Sequence, residues 1–477
     1  MFFSCLVCKL LAMKAVHTEI PYFNPADILE ALACQPGLVF LDSANHDQPF
    51  EDTNRYSYLG FAPKKTFHLK DGVLNGQAIS GSPLAALRDE LNRFDQQPDP
   101  DLPPFQGGLM GCFSYDLCHY FEAIPRCEPD ELCFPDMVVG IYDVVIAFDH
   151  QQQRCWVVST GYPCLDLHAR AQEAERRLQQ VVATIEQLQV AVAAGPREVF
   201  SPQALMADVT RESYEKTVSR CIDYILDGDI FEVNLSQRFR GKLEQPSDSI
   251  SLYLQLREAN PAPFAGYLSF DDFCIASASP ERFLWVKQGE VCSRPIKGTI
   301  ARSLDPEQDR VNQQTLRQSE KDRSENVMVV DLMRNDLSRV CEPDSVIVEK
   351  LCGLETYASV HHLVSVVKGK LSAGQDCLGL LEASFPGGSI TGAPKIRSME
   401  IISELESCPR GPYCGSLGYI GFSGDMDTSI VIRSFALMGC DITLQAGGAV
   451  VLGSDPATEY EETLLKAARC RQVLEEG

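Results

Sequence analysis

The chain has 477 residues, with 42 Lys+Arg against 66 Asp+Glu and a formal net charge of −24. That acidic balance argues against nucleic-acid or basic membrane-surface binding, which needs clustered cations, and no apolar run reaches the roughly 18 residues that span a bilayer. With 45% hydrophobic and 23% charged residues, the composition is that of a folded protein built for small-molecule chemistry, in one large composite core or two or three domains.

In chain order, the stretch from Met1 to Met13 is apolar and lacks a small-residue cleavage site. Residues 1–14 are read as an extension outside the fold, with Met13 as an alternative start and a short anchor as the second reading. Its Cys5-x-x-Cys8 pair has no companion pair or following His, so zinc and haem are weak readings. The remaining cysteines are scattered through apolar stretches, as expected of free thiols in a reducing cytoplasm.

Residues 15–195 form the first region. From Phe40 to about Gly161 short apolar runs such as "LVFLDSA", "RYSYLGF" and "MVVGIYDVVIAFDH" predict strands. Leu165–Ala194 reads as a helix that ends at Gly195-Pro196, followed by a linker. Residues 203–475 form the second region, which opens with a helix capped by Thr210 and stopped at Gly228. Strands at "APFAGYLSF" and "FCIASASP" precede helices near Glu320–Leu337, Ala393–Leu405 and Pro456 to the C-terminus. Between the last two, "GSLGYIGF", "MDTSIVIRSFALM" and "DITLQAGGAVVLG" alternate as strands.

Several residue patterns carry chemistry. In the last helix Glu459, Glu462 and Lys466 share one face, either a solvated surface or a hard-cation site. Glu325 lies four residues after Lys321, which alone means a helix salt bridge; facing Glu462 across a cleft, it would bracket a metal. Gly298, Gly387-Gly388 and Gly447-Gly448 mark turns. Together with Ser389, Thr391, Lys395 and Arg433 they suit a small polyanion. Lys297, at the end of "EVCSRPIKGT", is a surface or carboxylate-pairing lysine or, with a lowered pKa, a nucleophile. Glu281 is an acid/base candidate or a salt-bridge partner. His362 is a polarising group or a satisfied core histidine.

The segments "GDIFEVNLSQRF", "SASPERFL", "RPIKGT", "KDRSENVMVVDLMRNDLSRV", "SVHHLVS", "FPGGSITGAPK" and "DPATEYEETLLKA" resemble, in order, those of the chorismate-utilising enzymes. The likeness runs from about Ala15 to the end. It implies an α+β fold of two large β-sheets packed face to face and flanked by helices. "PIKGT" resembles the branch that aminates chorismate at C4 on the way to 4-aminobenzoate and folate. Members with "PIAGT" aminate C2 and yield anthranilate, which is the alternative activity. A catalytically dead subunit that binds chorismate or tryptophan is a further alternative.

The resemblance implies Lys297 as covalent nucleophile, Glu281 as general acid/base and His362 as an aid to the departing oxygen. It implies Glu325 and Glu462, with Glu459 nearby, as Mg²⁺ ligands. Thr299, Tyr413, Arg433, Gly447, Gly448 and Lys466 would line the substrate. Where the family usually has a third glycine after "QAGG", this chain has Ala449. Ser43, Arg55, Tyr56 and Ser57 resemble a tryptophan pocket, with a polar turn at a strand edge as the alternative. No glutaminase signature is recognisable, so a separate glutaminase subunit (component II) is the expected source of ammonia.

Overall fold

The computed structural model describes residues 13–44, 53–127, 131–192, 204–357 and 360–476. The Cys5–Cys8 pair, nearly all of the N-terminal extension and the middle of the expected linker lie outside the described residues.

Strands whose residues are all buried, such as Met137–Tyr142, are apolar on both faces because both faces are covered. They assemble into two twelve-stranded sheets with antiparallel pairing between neighbours. Each sheet takes strands from both halves of the chain. In the first, Leu38–Asp42 pairs with Phe264–Phe270; in the second, Gly108–Phe113 pairs with Ser416–Gly421. The expected division near residue 200 is therefore a change of position along shared sheets.

The period of two sorts the side chains into layers. Leu38 and Phe40 join a core with Leu178, Leu252 and Ala467 from the helices Leu167–Val192, Asp248–Ala259 and Pro456–Glu476. Val39 points the other way, into a core shared with Met110, Val138 and Leu417 of the second sheet. Leu109 and Phe113 of that sheet turn outward to Val329, Met333 and Met399, carried by the helices Glu320–Ser338 and Lys395–Leu405. The order is helices, sheet, sheet, helices, as expected.

Local signals place most of these elements. Thr210 Oγ1 accepts from the Ser213 amide and starts the helix Arg211–Leu226. The helix expected from Ala393 begins at Lys395, since Gly392–Ala393 is a short strand on Glu232–Lys242. The helices Asp248–Ala259 and Pro306–Gln318 were not expected. Among the described residues the cysteines are free thiols, and no helix is long and apolar enough to cross a membrane.

Candidate active site

Lys297 owes its direction to a break in pairing. The strand Ile296–Ala301 runs along Val360–Lys370, but the register shifts between Lys297 and Thr299. Gly298 takes φ +81° there, and a Cβ on it would meet the Asp322 side chain at 2.9 Å. Such a bulge re-aims the residue beside it. Lys297 consequently points inward, 8% exposed, with Nζ 2.7 Å from Glu232 Oε1 and 3.3 Å from Asn234 Oδ1. Burial acts to depress its pKa, but the charges of Glu232 and Glu325 outweigh burial and hold it above its ordinary value. This corrects the expectation of a lowered pKa: the lysine rests as a paired ammonium.

Glu281 follows the strand Phe273–Ser279 and is 4% exposed. Ser389 Oγ donates to its Oε1 at 2.5 Å. Burial pushes its carboxyl up to about 7, partly offset by Ser389, the Ile296 amide and Lys297. It is thus poised to carry a proton near neutrality. His362 lies across from Thr299, whose Oγ1 is 2.8 Å from Nδ1. Burial, reinforced by the Arg433 charge, lowers it to about 4. A neutral imidazole orients an oxygen; it does not serve as a standing proton donor.

The carboxylates expected at a metal come from two helices. Ser319 caps the helix Glu320–Ser338, and Asn326 Nδ2 ties it to the Leu363 carbonyl at 3.1 Å. Next to that anchor is Glu325, whose carboxyl burial raises to about 7. From the helix Pro456–Glu476, Glu459 and Glu462 lie against Gly448: a Cβ there would stand 3.2 Å from Glu462 Oε1 and 3.3 Å from Glu459 Oε2. Lys321 bridges the helices, 2.9 Å from Glu459 Oε1 and 3.9 Å from Glu325 Oε1. Glu325 Oε1 and Glu459 Oε2 are buried with no hydrogen-bond partner, a costly state for a carboxylate oxygen. Among the described residues no three acid, His or Cys side chains form a ready cage. The donor set suits a hard cation whose shell is completed by water and ligand oxygens.

Cations for an anionic ligand stand beside these acids. Arg433 adopts φ +54°, a left-handed conformation that costs a non-glycine residue about 1–3 kcal/mol and marks functional sites. Its guanidinium donates to the Lys466 carbonyl. Lys466 Nζ is 2.8 Å from the Gly447 carbonyl and 2.7 Å from Glu462. Tyr413 lies near enough to Arg433 to act on it electrostatically, with the Arg410 guanidinium 5.8 Å from its ring centre. The other expected anion binders serve the fold instead. Lys395 is locked onto Asp336 at 2.5 Å and the Ser384 and Pro386 carbonyls. Thr391 Oγ1 donates to the Gly387 carbonyl, and the space above Gly387 is filled by Ile430 and Phe283. That turn's contribution is Ser389.

Glu232 and Asn234 went unrecognised in the sequence, although "EVNLSQ" carries a usable signal. Period two puts Glu232, Asn234 and Ser236 on one face and Val233 and Leu235 on the other.

A cavity of about 200 Å³ opens between the sheets and is lined by Ser43, Arg55, Tyr56, Phe264 and Trp285. Arg55 pairs with Asp149 at 2.7 Å and stacks over the Tyr56 ring at 4.8 Å. Ser57 corrects the expectation: it is fully buried behind this wall, 3.1 Å from Asp42 Oδ1 and 2.7 Å from His150 Nε2.

Two interlocked sheets with a cluster of acids, a buried lysine and neighbouring cations match a known class. Residues 38–472 match the family described as chorismate binding enzyme, and the chain belongs to that family. Aminodeoxychorismate synthase component 1 of Klebsiella aerogenes is 39% identical, over 95% of this chain and 96% of its own. Anthranilate synthase component 1 of Thermus thermophilus is 40% identical, over 88% of this chain and 89% of its own. Anthranilate synthase component I from Streptococcus pneumoniae has a crystal structure that matches with a TM-score of 0.77 at 33% identity, covering 89% of this chain and 94% of that one.

Proposed function

We propose that this chain converts chorismate and ammonia to 4-amino-4-deoxychorismate, with Mg²⁺ as cofactor. The observation that carries the reading is Lys297 itself: a primary amine buried in the cleft, beside Glu281. Its lone pair attacks C2 of the ring, the two ring double bonds each shift toward C4, and the C4–O bond breaks. Glu281 hands its proton to the departing hydroxyl, which leaves as water. Ammonia enters at C4, the double bonds shift back, and the lysine departs while Glu281 takes a proton from the new ammonium.

His362 and Thr299 orient the leaving oxygen, while Arg433, Lys466, Tyr413 and the amides at Gly447 and Gly448 hold the carboxylates and enolpyruvyl group. Mg²⁺, held by Glu325 and Glu462 with Glu459 close by, would neutralise the ring carboxylate. Ammonia is proposed to come from a glutaminase subunit, a reading supported by the "component 1" in the names of relatives. For the cavity between the sheets we infer an amino acid, tryptophan by the family resemblance, supported by its size and the aromatic side chains in its wall.

The similarity to anthranilate synthases makes C2 amination the second reading. Product analysis decides between them. The purified protein with chorismate, ammonium and Mg²⁺ is expected to release 4-amino-4-deoxychorismate by mass spectrometry; fluorescent anthranilate as the product would overturn the proposal.

A further inference from the structure

A nucleophilic lysine that rests as an ammonium needs a place for its proton. Three acids act on Lys297 through their charge, Glu232, Glu325 and Glu281. Only Glu232 touches it. Glu281 has its proton committed to the leaving hydroxyl, and Glu325 is proposed to hold the cation. Glu232 is 1% exposed, and among the described residues Lys297 is its only cationic partner.

The backbone sets Glu232 firmly. Glu232 pairs with Ala393, the Phe231 amide donates to the Ala393 carbonyl at 2.7 Å, and Ser398 Oγ donates to the Glu232 carbonyl at 3.0 Å. In such a dry site an ion pair loses most of the solvation that favours it in water. Loss of that solvation narrows the gap to the neutral pair, amine beside carboxylic acid, and the 2.7 Å contact lets the proton cross within the pair.

We propose that Glu232 is the proton relay for Lys297, taking the Nζ proton before the amine attacks and returning it after the amine leaves. The inference rests on the reading of Lys297 as nucleophile. The Nζ–H bond breaks and an O–H bond forms on Glu232, so Nζ gains the lone pair that becomes the Nζ–C2 bond. When that bond breaks, Nζ keeps the pair and recovers its proton from Glu232. No redox change and no further reactant is involved. Glu232 acts through the lysine and is a positioning residue with a proton-holding role.

The test follows adduct formation without ammonia. Protein, chorismate and Mg²⁺ are mixed at a series of pH values, and intact-protein mass reports a gain of chorismate less one water. Transfer within the pair takes no proton from solution, so the native rate is expected to show no acid limb, only the decline above about 7 as Glu281 loses the proton it gives to the leaving hydroxyl. In Glu232→Gln the lysine must lose its proton to solvent, and the rate is expected to fall roughly tenfold per pH unit below the lysine's pKa in that variant, converging on the native rate above it.

The other groups facing Lys297 are Glu281, Glu325 and Glu462, with Asp322 and His362 beside the next residues of its strand. All are unchanged in Glu232→Gln, which isolates the relay. Glu232→Asp keeps an acid and is expected to retain the native profile, without an acid limb, at a lower rate, so it carries the test if the Gln variant does not fold. A pH-independent loss in Glu232→Gln, an unchanged rate, or an acid limb in Glu232→Asp would overturn the relay while leaving Lys297 as nucleophile. Absence of any adduct in the native protein would sink the nucleophile reading and the relay with it.

Discussion

The cavity between the sheets and the cluster around Lys297 are both bordered by buried acids, which are treated in opposite ways. Behind the cavity between the sheets, Asp42 receives Arg257 at 2.5 Å, the Tyr253 hydroxyl at 3.0 Å and Ser57 at 3.1 Å. Burial would raise its pKa, but Arg257 overcomes that and holds it below the ordinary value. Around Lys297, burial prevails at Glu281 and Glu325, both pushed up to about 7, and among the described residues Glu325 Oε1 and Glu459 Oε2 have no hydrogen-bond partner. A satisfied acid stiffens a wall; an unsatisfied one is kept for something that arrives later. Substitutions in the first network should therefore cost stability, and those in the second should cost chemistry.

The largest effect is expected at Lys297. Lys297→Ala should lower turnover with chorismate and ammonium by about 10³-fold or more, as for a covalent nucleophile, and abolish the adduct in intact-protein mass. Retention of the adduct in that variant would remove the lysine from its role. Next comes Asp42→Asn, which leaves the Arg257 charge, 15% exposed, without its partner. Chemical denaturation should show a loss of ~3–5 kcal/mol, the range for breaking a buried pair. Turnover per folded molecule should be retained; a selective loss of turnover without destabilisation would erase the contrast between the two regions.

Glu281→Gln tests the contrast in the other direction. The native carboxyl titrates at about 7 against 4.5 in the unfolded chain, so the folded state binds the extra proton between those values. Below 4.5 the acid is protonated in both states and contributes nothing; above 7 it is charged in both and the folded state bears the full penalty. Gln avoids that penalty. Its stability relative to the native protein should rise with pH through this window to a gain of ~3 kcal/mol, while turnover is lost. Equal stability at pH 5 and pH 8 would contradict the raised carboxyl.

Much of this was legible locally. The Thr210 cap, the apolar run of Met137–Asp149 and the face shared by Glu459, Glu462 and Lys466 are each set by neighbours a few residues apart, which periodicity reads. The cleft residues were named through the family resemblance, and the structure brings most of them together. What escaped was long-range. Glu232 meets Lys297 across 65 residues of chain, and only that contact reveals that the lysine rests charged. Ser57 sits in a motif that reads as pocket lining, yet strand alternation turns it to the buried side, where Asp42 and His150 take its hydroxyl. The helix Pro306–Gln318 was missed because its residues are mostly polar, with few apolar positions to count.

The smallest effect separates adjacent glycines. A Cβ on Gly447 would stand 2.4 Å from the Leu235 carbonyl, whereas one on Gly448 would meet only carboxylate oxygens at 3.2 and 3.3 Å. The first neighbour is backbone in the middle of a paired strand and cannot move alone. The second pair are ends of side chains, which can yield by a few tenths of an ångström. Gly447→Ala should therefore destabilise the sheet by ~1–3 kcal/mol, the usual cost of overpacking, and lower the melting temperature. Gly448→Ala should leave melting nearly unchanged and instead displace Glu459 and Glu462 from their resting positions. Its signature is a several-fold higher Mg²⁺ concentration for half-maximal turnover. An unchanged Mg²⁺ titration would separate those two carboxylates from the cation, whereas a fall in melting temperature equal to that of Gly447→Ala would mean that Gly448 serves the strand and not the site.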